Sequence, residues 1–429
     1  MIISFKKFFY VFFILTFTKV NKNFSFNNLN FRKIDFTNYH QIKLFIFKEN
    51  FIRIKNKYFQ NFDFLNYSKK LGGKIGINLS KKSIFDWYEI NKYKLNFPWS
   101  EDLSTKRLIN IIYNYEYINS SSTYKETYKL NKIIVIHIRR IYFDFNNKKI
   151  TQLTSFDLLA YILSLLILNK LTKRKLSYIK FIIFKQIDNL GMHKSYNLLE
   201  HSKFINNLSE IKSILLFYKV DNDLEIDKLI LKMSSILNQY FHKDGSMPLF
   251  NGSNNNYTDS IFKNLNKDVF LKSRDFSKVK NGIAFHSSKN KKLFFDVVQP
   301  NKDRISSNLS AGTLSIEISG FGEKIFTNCG ASESFGKNPE YLRYSAAHST
   351  IVLQNTNISE IKEGIPHVSF PQSVSFQREG NSKEEIFEGS HNGYLKKFNK
   401  IIKRKLIISK ETNLIKGEDS FISFKDIKN

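Results

Sequence analysis

At 429 residues the chain exceeds the size at which one hydrophobic core stops growing, so two domains are expected, and a hydrophobic content of 42% excludes a disordered chain. A lone cysteine, Cys329, excludes an intramolecular disulfide framework. The formal net charge of +29 points towards a polyanion, whether nucleic acid, anionic lipid or acidic polysaccharide, but the lysines are scattered and no zinc-finger, helix-turn-helix or RNA-binding motif accompanies them.

In "MIISFKKFFYVFFILTFTKV" Lys6 and Lys7 precede an apolar run from Phe8 to Phe17. Residues 1–20 have the basic and short apolar regions of a signal peptide, and read equally as an apolar N-terminal helix or strand. No small-x-small cleavage site follows, and the run is too short for a bilayer span of ~20 residues. The rest of the N-terminal segment, through residue 98, mixes aromatics with Lys and Asn without a clean period, although Gly72-Gly73 marks a turn.

Residues 99–256 read as helical. Thr154 and Ser155 offer an N-cap for "FDLLAYILSLLILNKL", whose middle from Leu158 to Leu168 is apolar on nearly every side, as in a helix enclosed by others. In the last helix Ile226, Leu229, Ile230, Met233, Leu237 and Tyr240 make one apolar face. After the turn-rich "DGSMPLFNGSNNN" (Asp244 to Asn256) the period changes from 3.6 to 2. In residues 257–429 Leu314, Ile316 and Ile318 alternate with Ser315, Glu317 and Ser319, and "KIFTN", "STIVLQ", "KRKLIIS" and "TNLIK" read as further short strands. The Asn and Ser runs read as loop tips. The simplest architecture is α+β: a helical domain followed by an antiparallel β-sandwich.

Several of these segments carry a family resemblance. "NLSAGTLSIEIS", "KIFTNCGA" and "LRYSAAHSTIVLQNTNISEI" resemble the C-terminal domain of the heparinase II/III family. "QYFHKDGSMPLFNGS" resembles the linker before that domain, and "QIDNLGMHKSYNLLEHSKFINNL" is similar to a helical stretch in which the family reads roughly Gln-Ile-Leu-x-Asp-Gly-Gly-His, with a Tyr-His pair further on. The resemblance covers roughly the last two-thirds of the chain. It implies an (α/α) toroid of helices, here incomplete, then the β-sandwich, with a sugar-binding cleft between them. The family's sandwich continues past a segment like "LIKGEDSF", so a sandwich shortened at its C-terminus is expected.

The activity the resemblance implies is polysaccharide lysis by β-elimination at a uronic acid. Such a reaction needs a Tyr or His to remove the C5 proton, neutralisation of the adjacent carboxylate, and an acid for the leaving oxygen. Carried over position by position, the family's Tyr before His201 is Glu200 here, and its earlier Asn-His pair falls at Thr151 and Gln152. Its His-x-His becomes Asn308 and Ser310, and the Asp that helps hold a structural zinc becomes Asn328, leaving His348 alone of that set, so no metal is expected. The catalytic candidates are His201, Tyr196 and His348, with His193, Tyr196 and Glu200 read as one helical face. The substrate-binding candidates are Arg343, His193, Gln152 and Asn308. Arg343 reads as a fork for a carboxylate or as an ion pair with Glu340 or Glu333. The expected function is a heparinase II/III-like lyase, degenerate in part, acting on an acidic glycan in the periplasm or cell envelope, or in the cytoplasm if the N-terminal apolar run is not a signal, without cofactor, nucleic acid or stable membrane span. The alternative is a non-catalytic protein that binds such a glycan.

Overall fold

The structure is a computed structural model that describes residues 2–18, 57–95, 97–220, 225–254, 282–300, 310–331, 340–362 and 365–423. The chain divides into two compact units, one made of Met1–Ile183 and Asn206–Ile226, the other of Phe184–Ile205 and Asp227–Asn429. The first is helical and the second carries two four-stranded antiparallel sheets, the helices-then-sandwich order that the α+β reading expects.

The described helices before Trp99 are α1 (Ile2–Phe17), α2 (Lys57–Gln60), α3 (Phe64–Leu71) and α4 (Gly73–Asn91). Gly72 and Gly73, with φ of 70° and 55°, break the chain between α3 and α4 as the sequence predicts. The lack of a clean period here has a physical cause: buried faces are built partly from Asn. Asn110 Nδ2 donates to Asn61 O and Asp63 Oδ1 at 3.0 and 2.9 Å, and Asn114 Nδ2 donates to Asn66 Oδ1 at 3.0 Å. Polar groups satisfied in this way can sit inside, and they hide the apolar stripe.

The remaining helices are α5 (Glu101–Tyr113), α6 (Tyr115–Asn119), α7 (Tyr124–Asn147), α8 (Ser155–Ile167), α9 (Lys173–Lys185), α10 (Leu198–Phe217) and α11 (Ile226–Leu237). Helix α8 starts where the sequence places it: Thr154 Oγ1 accepts from Asp157 N at 3.2 Å while Asp157 Oδ2 accepts from Thr154 N at 2.8 Å, a reciprocal cap. Every residue from Leu158 to Leu166 is buried, as the all-round apolar pattern requires. This unit also holds a buried arginine. Arg107 lies 3.8 Å over the Trp87 ring and donates to His137 Nε2 (3.0 Å), Pro98 O (3.1 Å) and Gln60 O.

In the second unit one sheet has the order β1-β2-β3-β4: β1 (Ile283–Ser287), β2 (Lys291–Asp296), β3 (Ile316–Gly320) and β4 (Glu323–Phe326). A small pair, β5 (Glu360–Lys362) and β6 (Ile365–Ser369), precedes β7 (Val374–Gly380) and β8 (Glu384–His391). After the short helix α12 (Leu395–Phe398) come β9 (Lys400–Ser409) and β10 (Ile415–Ser423), completing a second sheet of order β10-β9-β8-β7. Leu293 and Phe295 of β2, Leu314, Ile318, Phe387, Ile402, Leu406 and Ile408 form the core between the sheets. "KIFTN" and "KRKLIIS" are strands, but "STIVLQ" is not. Its backbone and side-chain polar groups have partners other than a strand ladder: Ser349 N donates to Asn328 Oδ1 at 2.8 Å, the Thr350 hydroxyl donates to Thr313 O at 2.7 Å, and Ile351 O accepts from Tyr394 Oη at 3.1 Å.

The other face of the first sheet is buried as well. Register places Phe294 opposite Glu317, and Ser315, Glu317 and Ser319, the polar half of the β3 alternation, are each at most 1% exposed. The linker covers them: Tyr240 Oη donates to Ile283 O at 2.8 Å and Lys243 N to Ser319 Oγ at 3.1 Å. The linker is therefore part of the sandwich unit, and Asn251, Ser253 and Asn254 are buried rather than at a loop tip.

Candidate functional site

The segment from Gln186 to Ser202 brings three of the sequence-selected residues together. Asp188 turns the chain by accepting Leu190 N and Met192 N on Oδ1, at 2.9 and 2.8 Å, with Gly191 at φ 97°. His193 then pairs with Ile187 in an isolated bridge, and its Nδ1 accepts Ser195 N–H and lies 2.7 Å from Ser195 Oγ. Asn197 caps α10, its Oδ1 accepting Glu200 N at 3.0 Å. The helix thus begins after Tyr196, which has φ 50° and lies outside it. His193, Tyr196 and Glu200 do not share a helical face. The Tyr196 phenol, half-buried, instead donates to Asp188 Oδ2 at 3.3 Å, and Glu200 pairs with Lys203 at 2.9 Å.

His201 is wholly buried and doubly committed: Nδ1 accepts His193 N at 3.1 Å, so Nε2 carries the proton and donates to Met233 O at 2.9 Å. Burial pushes both His193 and His201 down to about 4, so both are neutral imidazoles near pH 7. His201 ties the segment to α11 and in this geometry has no ring nitrogen left for a substrate.

A second cluster centres on Glu317, whose side chain is fully buried. Oε1 accepts Leu249 N (2.9 Å), Asn328 N (3.2 Å) and Asn328 Nδ2 (3.0 Å), while Oε2 lies 2.8 Å from His242 Nε2 and 3.7 Å from Lys324 Nζ. His348, 8% exposed, is held against Gly312, where an added Cβ would come within 3.1 Å of its ring. Burial brings its pKa down to about 4, against the opposing charge of Glu317 and a backbone hydrogen bond at Leu342. The two clusters are joined through the linker: Asn197 Nδ2 donates to Asn251 O (2.9 Å), Leu199 N to Ser253 Oγ (3.2 Å), and Ala331 N to Ser253 O (2.9 Å).

These donors do not suit a zinc ion. Asn328 spends its amide on Glu317 and its Oδ1 on Ser349 N, Glu317 is already surrounded by hydrogen-bond donors, and among the described residues no three His, Cys, Asp or Glu side chains group as metal ligands. Arg343 ends a 3-10 turn (Glu340–Arg343), is 5% exposed, and its carbonyl accepts Ala311 N at 2.8 Å. Burial lowers its pKa and the Glu340 charge opposes this. Gln152 is exposed in the helical unit, while Asn308 and Glu333 lie outside the described residues. The sequence reading missed Asp188, His242 and Glu317. The signal was present for Glu317, a carboxylate between two isoleucines in the "NLSAGTLSIEIS" segment.

Residues 272–428 match the family described as Heparinase II/III-like, C-terminal. Against curated proteins the sequence finds no match. A crystal structure of heparinase III aligns with a TM-score of 0.64 at 12% identity, over 98% of this chain and 75% of that one. The heparan sulfate lyase HepC from Pedobacter heparinus aligns with a TM-score of 0.52 at 12% identity, over 97% and 74% of the two chains. The expected family resemblance therefore holds: residues 272–428 match the heparinase II/III-like C-terminal domain, and the chain has the fold of heparinase III.

Proposed function

We propose that this protein is a polysaccharide lyase acting by β-elimination on a uronate-containing glycan in the periplasm or cell envelope, and that Tyr196 is its proton-transfer residue. One observation carries the reading: among the catalytic candidates only Tyr196 is part-exposed, and its phenol is hydrogen-bonded to the Asp188 carboxylate. Asp188 accepts the phenolic proton and the tyrosine oxygen takes the uronate C5 proton. The electron pair forms the C4–C5 double bond as the C4–O bond breaks, and the leaving oxygen is protonated from Tyr196. His201 and His193 position this segment, and no metal takes part. Incubation with alginate, heparan-type and capsular uronates is expected to raise the ultraviolet absorbance of an unsaturated uronate, unchanged by a chelator and lost in Tyr196→Phe. No product from any of these substrates refutes the activity.

A second reading, binding of the same glycan without turnover, is favoured by the burial of His193, His201 and His348. It requires retained affinity in the absence of product, weakened by Arg343→Ala and by salt, since carboxylate recognition is screened by ions. Affinity insensitive to both changes refutes it.

A further inference from the structure

Helix α1 has two distinct faces. One is built into the helical unit: Lys7 Nζ lies 2.7 Å from Asp144 Oδ1, the Tyr10 ring stacks on Phe143 at 4.7 Å, and Tyr10 Oη donates to Arg139 O at 3.0 Å. Val11 and Ile14 are buried on the same side, and Arg139 reaches Thr18 Oγ1 at 3.0 Å, which fastens the end of the helix. The other face is a double ridge of phenylalanine. Phe8, Phe9, Phe12, Phe13 and Phe17 are each more than 50% exposed. Five half-exposed rings amount to roughly 500 Å² of apolar surface, in the upper range of the largest patch a monomer carries.

We infer that α1 is a retained structural helix whose phenylalanine ridge lies in the surface of an anionic lipid bilayer. A span is excluded by length, because 16 residues rise only about 24 Å against a hydrocarbon core of ~30 Å. Among the described residues no helix is long and apolar enough to cross a membrane. Charge selects the occupant. A second copy would bring +29 against +29, whereas anionic headgroups complement it. The helix also has exposed Lys6 at its start. Aromatic rings inserted at headgroup depth beside lysines are the usual composition of a helix lying in the interface. This inference does not use the glycan site, but it takes the N-terminal run as a retained helix and so removes the leader on which a periplasmic location would rest.

The test uses the full chain with its native N-terminus, its first residues verified by intact mass, sedimented with vesicles of phosphatidylcholine alone or mixed with phosphatidylglycerol. Binding to the anionic vesicles only, weakened by salt, is expected. Phe12→Ser with Phe13→Ser should lower it by about tenfold or more without moving the thermal midpoint, because both rings are already exposed. Three results overturn the inference: no partition into either vesicle; recovery from cells of a chain lacking roughly the first 20 residues, which marks a removed leader; or self-association abolished by the double substitution while vesicles do nothing.

Discussion

Replacing Glu317 tests the account of the sandwich unit most directly. In Glu317→Ala, Leu249 N, Asn328 N, Asn328 Nδ2 and His242 Nε2 all lose the carboxylate they share inside a fully buried site. An unsatisfied buried donor costs about 1–3 kcal/mol, and removing one member of a buried pair about 3–5 kcal/mol. Because the four losses occur at one point and relax together, about 4 kcal/mol is the expected total rather than their sum. For a unit of this size that lowers the thermal midpoint by roughly 8–16 °C. Glu317→Gln keeps an oxygen for the three donors at Oε1 but loses the charge and sets an NH2 against His242 Nε2, which must then accept in its other tautomer, so a smaller cost of about 1–3 kcal/mol is expected. Differential scanning calorimetry of both variants, beside the exposed Glu379→Gln as a control, gives the comparison. An alanine variant within about 0.5 kcal/mol of that control refutes the idea that the carboxylate holds the linker to β3.

The remaining predictions concern acid, the buried arginine and a helix cap. His193, His201 and His348 are pushed down to about 4 and His391 to about 3, all chiefly by burial, whereas the unfolded imidazoles protonate near 6.5. The unfolded chain therefore binds more protons below that pH, so stability is full above pH ~6.5 and falls towards pH ~4, by on the order of 3 kcal/mol per group. A denaturation midpoint that is flat between neutral pH and about 4.5 contradicts this. Arg107→Ala leaves a cavity among Phe62, Trp87 and Trp99 and strips the donor from Pro98 O, which should cost about 3–5 kcal/mol in urea unfolding. Thr154→Ala removes one half of the cap on α8 and should cost about 1 kcal/mol by the same measurement.

What the sequence made legible follows from where its patterns are enforced by solvent. Helix α8 was readable because a Thr and an Asp three residues apart announce a reciprocal cap, and β9 because Ile402, Leu406 and Ile408 alternate with lysines that stay outside. The patterns failed where polar atoms were satisfied inside the protein. Helices α2 to α4 lost their period to buried Asn, and Asn251 to Asn254 read as a tip because their hydrogen bonds to Asn197 and Ala331 are long-range. "STIVLQ" has the composition of a strand, but the Asn328 and Tyr394 side chains bond its backbone at Ser349 N and Ile351 O, and its own Thr350 hydroxyl bonds Thr313 O. Tyr196 was placed on a helix for want of one fact, that Asn197 caps it.

The same distinction governs what can be carried from the family to this chain. A motif match fixes a position in the backbone: Asn328 and His348 lie beside Glu317 on the sandwich, and His193 N donates to His201 Nδ1. It does not fix whether the side chain at that position faces a ligand. An imidazole that exchanges protons needs a nitrogen open to the reaction and a pKa near the working pH. His201 has neither, since Met233 O and His193 N occupy both nitrogens and burial favours the neutral ring. Tyr196 differs in kind: the turn that takes it off the helix also leaves its phenol part-exposed against Asp188, the arrangement through which a weak acid can be activated. In the proposed lyase reading, proton transfer therefore passes through Tyr196, whose neighbours in sequence announce a histidine pair and whose neighbour in space is a carboxylate.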